Sequence, residues 1–96
     1  MLVVVSYDVR TTEAAGSKRL RKVAKTCENL GQRVQKSIFE CQLEPAQWAR
    51  LRLQLLDIYN PKEDSLRFYF LGSNYERRIE HHGVQKSLDL AKSLVL

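Results

Sequence analysis

The chain has 96 residues, of which 44% are hydrophobic, and a formal net charge of +5. That length fits one domain around one core, and the hydrophobic content excludes a disordered chain. No apolar run reaches the roughly 20 residues of a membrane-spanning helix, so a cytoplasmic protein without a membrane partner is expected, and the positive excess favours a polyanionic ligand.

Leu2-Val3-Val4-Val5-Ser6-Tyr7-Asp8 reads as a strand. Leu2 and Val4 fall on one side, and Val3, Val5 and Tyr7 on the other. A strand apolar on both faces is expected to be covered on both. It ends in a lone acid, Asp8, on the side of Val4 and Ser6. Arg10 to Gly16 is polar and reads as a loop, with Ser17 placed to cap the helix that follows. Lys18 to Leu30 is that helix. Leu20, Val23, Ala24, Cys27 and Leu30 recur at helical spacing, and Gly31 stops it. Its other sides carry Lys18, Arg19, Arg21, Lys22 and Lys25.

Gln32 to Leu43 reads as extended. No Gly, Pro or Asn marks a hairpin inside it, so a bend between two strands there would be unmarked. Pro45 suits the first turn of a second helix, whose apolar stripe is Trp48, Leu51, Leu55, Ile58 and Tyr59. Asn60-Pro61 ends it. Asp64 to Leu71 is a strand in which Leu66, Phe68 and Phe70 alternate with Arg67, Tyr69 and Leu71. After a turn at Gly72-Ser73-Asn74, Tyr75 to His82 reads as a short strand, broken by Gly83. Leu88 to Leu96 fits either a helix or a terminal strand.

The order predicts a single α+β domain over residues 1–96: a ferredoxin-like βαββαβ two-layer sandwich with a short extra C-terminal strand. Both helices then pack on one side of the sheet. The apolar second face of the first strand needs a cover, and a second copy of the chain is the expected one. Residues 84–96 are expected at that homodimer interface.

Cys27 and Cys41 form no CxxC pair and read as reduced core residues. His81 and His82 are neighbours on an expected strand, would point to opposite faces, and cannot easily share a metal. Tyr7 and Phe39 read as core or interface residues. Asp8 has two readings from its residues alone: a loop-entry acid that caps a turn, or a carboxylate for a hard cation. Arg19, Arg21, Lys22 and Arg33 likewise fit either a solvated surface or contacts to a phosphate backbone. A small-molecule regulator is disfavoured by the charge and by the absence of a Gly-rich phosphate loop.

Four segments carry a resemblance. They are Tyr7-Asp8-Val9 after aliphatics, the helix from Lys18 to Val23, Gly31-Gln32-Arg33-Val34-Gln35-Lys36-Ser37-Ile38-Phe39-Glu40, and Ser65-Leu66-Arg67-Phe68-Tyr69-Phe70-Leu71. The tail Ile79-Glu80-His81-His82-Gly83 also fits. In this order they resemble the small CRISPR-associated "protein two" family, partner of the spacer-acquisition integrase. The resemblance implies a ferredoxin-like homodimer, binding to duplex DNA or RNA, and an integrase partner. It also implies a divalent metal, Mg2+ or Mn2+, held by Asp8 of both subunits. Metal-dependent phosphodiester cleavage would follow, with Asp8 catalytic. The alternative it implies is a non-catalytic scaffold bridging integrase dimers.

Overall fold

In the computed structural model, which describes residues 1–84, the first strand β1 (Leu2–Asp8) lies inside a four-stranded antiparallel sheet. Helix α1 (Ala14–Glu28) follows, then β2 (Gln32–Gln35), β3 (Ile38–Gln42), helix α2 (Pro45–Ile58) and β4 (Ser65–Gly72). The strand order is β2-β3-β1-β4. This is the expected ferredoxin-like βαββαβ arrangement. The extra C-terminal strand, and residues 84–96 apart from Val84, lie outside the described residues.

Alternation along β1 sorts its side chains. Val3, Val5 and Tyr7 are buried with Phe39 and Cys41 of β3, Val23 and Cys27 of α1, and Leu51 and Leu55 of α2. On the other face Val4 and Ser6 are only partly buried and Asp8 is exposed. No α-helix among the described residues covers that face, so the helices cover β1 on one side only and its second face stays partly open in the single chain. Trp48 closes the core at the β4 side, edge-on to Phe68 and Phe70 with ring centroids 4.8 and 5.4 Å away.

Helix α1 starts four residues before the expected Lys18, and Ser17 is not its cap. Gly16 and Ser17 both donate to the Glu13 carbonyl, 3.1 and 3.2 Å, so the first turn has closed before Ser17 is reached. Gly16 is there for packing. A Cβ at position 16 would stand 1.8 Å from the Arg10 carbonyl oxygen. The loop leaving β1 therefore lies directly on the helix backbone, and any side chain at 16 would lift it off.

The bend between β2 and β3 falls at Lys36–Ser37. Among the described residues no non-glycine residue has positive φ, so this turn needs no glycine or asparagine. A register shift between Arg33 and Gln35 adjusts the strands instead. The expected strand over Tyr75–His82 is corrected. Tyr75–Arg78 forms one turn of 3-10 helix, and Arg78 Nη1 donates to the Leu71 carbonyl at 3.0 Å. The segment Tyr75-Glu76-Arg77-Arg78 lacks the apolar alternation that a strand needs. Helix α2 starts as expected at Pro45, with Glu44 and Gln47 forming a reciprocal capping box.

Candidate metal centre and nucleic-acid interface

Asp8 is the last residue of β1 and lies opposite Ser65 of β4. It is exposed, on the sheet face away from the helices. Among the described residues no hydrogen bond or ion pair engages its carboxylate, and no group of three or more His, Cys, Asp and Glu side chains could hold a metal. Among the described residues Asp8 is thus a lone hard oxygen donor group at the end of its strand.

The strand end is fixed from behind by a residue that the sequence reading missed. Asp64 immediately precedes β4, and its side chain is fully shielded from solvent. It accepts from the Arg10 and Asn60 backbone N–H groups at 3.1 and 2.9 Å, and from Arg19 Nε at 2.8 Å. Arg19 Nη2 adds bonds to Asp64 at 3.2 Å and to Glu63 at 3.1 Å. The loop after Asp8 is clamped between Gly16 on one side and Asp64 on the other. Arg19, expected among the phosphate contacts, is instead committed to these two carboxylates. A pairing 45 residues apart leaves no local signature.

Arg19 is the main cause that holds the Asp64 carboxyl below the usual carboxylate range, with the two backbone N–H groups reinforcing it against burial. A carboxyl lowered in the folded state stabilises the fold above its unfolded value of about 3.9, and that contribution is lost as pH falls through the folded value. Replacing Asp64 with Asn is therefore expected to lower Tm by roughly 10 °C at neutral pH. The gap between wild type and variant should close in acid. Thermal melts across an acid series check this, and a gap independent of pH would contradict it.

Lys18, Arg21, Lys22 and Lys25 project from α1 around a groove of about 520 Å³, completed by Thr26 and by Ile58 at the end of α2. The groove belongs to the helix layer, whereas Asp8 belongs to the opposite face of the sheet. Of the expected contacts, Arg21 and Lys22 line it. Arg33 does not: it lies opposite Phe39, its guanidinium carbon 5.1 Å from that ring, with Glu28 at 3.6 Å.

Tyr7 and Phe39 are core residues, 4% and 0% exposed, with rings 6.2 Å apart. Burial raises the Tyr7 pKa, partly offset by Arg33. Cys27 and Cys41 are free and buried, and burial pushes their thiols up to about 12 and about 11, which makes them poor nucleophiles. His82 Nε2 lies 2.6 Å from Glu80 Oε2 and His81 Nε2 lies 3.0 Å from the Gly83 carbonyl, so the two rings serve different partners.

On the sheet face of Asp8, β4 places Arg67 opposite Ser6 and Tyr69 opposite Val4. Arg67 Nη1 is 3.3 Å from the Tyr69 hydroxyl. The signal was the strict alternation of Arg67-Phe68-Tyr69-Phe70, which puts the arginine and the tyrosine on one side.

Residues 1–79 match the family described as CRISPR associated protein Cas2. The chain is 58% identical over 96 residues to a CRISPR-associated endoribonuclease Cas2 of Chlorobaculum tepidum, covering 100% of both. It is 50% identical over 95 residues to a CRISPR-associated endonuclease Cas2 of Halalkalibacterium halodurans, covering 99% of both. The crystal structure of Streptococcus pyogenes Cas2 superposes with a TM-score of 0.77 at 52% identity, covering 86% of this chain and 100% of that one.

Proposed function

Because this chain belongs to the CRISPR associated protein Cas2 family, we propose that it is a cytoplasmic CRISPR adaptation protein: a basic homodimer that binds double-stranded nucleic acid and cleaves phosphodiesters with a divalent ion. The spacer-acquisition integrase is its protein partner. The observation that carries the cleavage reading is Asp8: among the described residues it is an exposed carboxylate with no intramolecular partner, on the sheet face opposite the two α-helices.

The donor set fits a hard cation, provided two copies contribute. Mg2+ keeps several waters and takes one or two protein carboxylates together with substrate phosphate, and Mn2+ accepts the same oxygen donors. Asp8 of both copies would hold the ion. When bound, it would polarise a phosphoryl oxygen and make water a better nucleophile. Asp64 and Gly16 keep the strand end in place, and the partly apolar face of Val4 and Ser6 packs against its counterpart.

A second reading, a scaffold that holds duplex and bridges integrase dimers without cutting, is favoured by one observation. The basic groove lies on the helix layer, away from Asp8, so duplex held there needs no contact with the carboxylate. The two readings share the dimer. Sedimentation at low micromolar concentration should give about twice the chain mass of 11.2 kDa. A monomer would remove both. Cleavage that stops with a chelator and returns with Mg2+ or Mn2+ separates the enzyme from the scaffold.

A further inference from the structure

The cations around Asp8 are mostly occupied. Arg19 is held by Asp64 and Glu63. Arg10 Nε donates to the Thr12 hydroxyl at 3.2 Å, and Arg33 lies on the helix-side face beside Glu28. Arg67 is exposed in the single chain, and among the described residues no carboxylate pairs with it. Arg10 also lacks a carboxylate partner, but only Arg67 of these four stands on a strand and on the sheet face that carries Asp8.

Its position follows from the register. Asp8 lies opposite Ser65 and Ser6 lies opposite Arg67, so Arg67 is the diagonal same-face neighbour of Asp8 across the β1–β4 pair. Diagonal neighbours of this kind are roughly 7–8 Å apart at the backbone. A long side chain can cross that distance, yet Arg67 forms no ion pair with Asp8, so the guanidinium and the carboxylate both remain available to a phosphodiester lying between them. Tyr69, two residues along the same face, restrains the arginine. Its hydroxyl is 3.3 Å from Arg67 Nη1, and the guanidinium carbon is 5.9 Å from the ring centroid. A guanidinium supported at one end keeps the rest of its fork free, and that fork matches two phosphate oxygens at once.

We infer that Arg67, restrained by Tyr69, positions the scissile phosphodiester beside Asp8. This rests on the reading of Asp8 as the carboxylate at which phosphodiesters are cut. Arg67 is a positioning residue: it binds the substrate phosphate through two N–H donors, and no bond to it forms or breaks.

The test compares wild type, Arg67→Ala, Arg67→Lys, Tyr69→Phe and Asp8→Asn. Cleavage is followed with Mg2+, and equilibrium binding of a short oligonucleotide with Ca2+ in its place. Arg67→Ala should raise KM and weaken Ca2+-supported binding by roughly tenfold or more, with Tm and sedimentation unchanged. Arg67→Lys keeps the charge and loses the fork, so it should recover only part of the loss. Tyr69→Phe should fall between wild type and Arg67→Ala. Wild-type KM and binding in a folded, dimeric Arg67→Ala would overturn the inference. If Arg67→Ala loses the dimer, Arg67→Lys decides: weakened binding at a normal Tm supports the inference, and wild-type binding overturns it. Failure of the underlying reading looks different. In that case Asp8→Asn cuts like wild type, or neither protein cuts, and the Ca2+ binding series still decides whether Arg67 holds phosphate.

Discussion

Asp8→Asn should cut phosphodiesters about a thousandfold more slowly than wild type, because holding the ion that activates water is worth several kcal/mol of barrier. Asparagine nearly keeps the shape and removes the charge. The fold should survive, since Asp8 is exposed and no hydrogen bond among the described residues depends on its carboxylate. Its backbone pairing opposite Ser65 is untouched. Duplex binding should hold or improve, because a negative charge leaves a surface that meets phosphates. The other readings predict other patterns. A structural acid would lose stability and binding together, with cleavage tracking the folded fraction. In a scaffold, wild type and variant would both fail to cut and both would support integration.

The second large effect is on duplex binding and its dependence on salt. A dimer making about six phosphate contacts loses roughly a thousandfold in affinity between 50 and 200 mM salt, a log–log slope near −5. Arg21 and Lys22 line the groove of each copy, so replacing both with Ala removes four cations per dimer. The slope should relax to about −2. Binding should weaken similarly for every sequence, since backbone contacts carry no base information. Arg19→Ala serves as the contrast. Arg19 already bonds Asp64 and Glu63, so its loss should lower Tm and leave the slope nearly unchanged. An unchanged slope in the Arg21/Lys22 variant would place the duplex elsewhere.

Periodicity made much of this legible. The two-sided apolar pattern of β1, the stripe of α2 and the alternation of β4 each follow from where side chains must point, and they set the strand order's elements. The differences have separate causes. Gly16 read as loop because glycine usually ends helices, yet here it serves a backbone contact with Arg10. Tyr75–Arg78 read as strand although its side chains carry no alternation. The β2–β3 bend was silent because its turn uses only ordinary φ values. At the site, Asp8 was visible as a strand-end acid in a basic chain. The partners of Arg19 were invisible because they lie 44 and 45 residues away, and charge counting along a helix cannot see them. Arg67 was visible in the β4 alternation, but its relation to Asp8 needed the register.

The central claim is that two copies hold one ion between their Asp8 carboxylates. Calorimetric titration of the wild-type protein with Mn2+, set beside the same titration of Asp8→Asn, tests it directly. The account predicts one ion per two chains, bound by wild type and lost in the variant. One ion per chain, or equal binding by the folded Asp8→Asn protein, would contradict it.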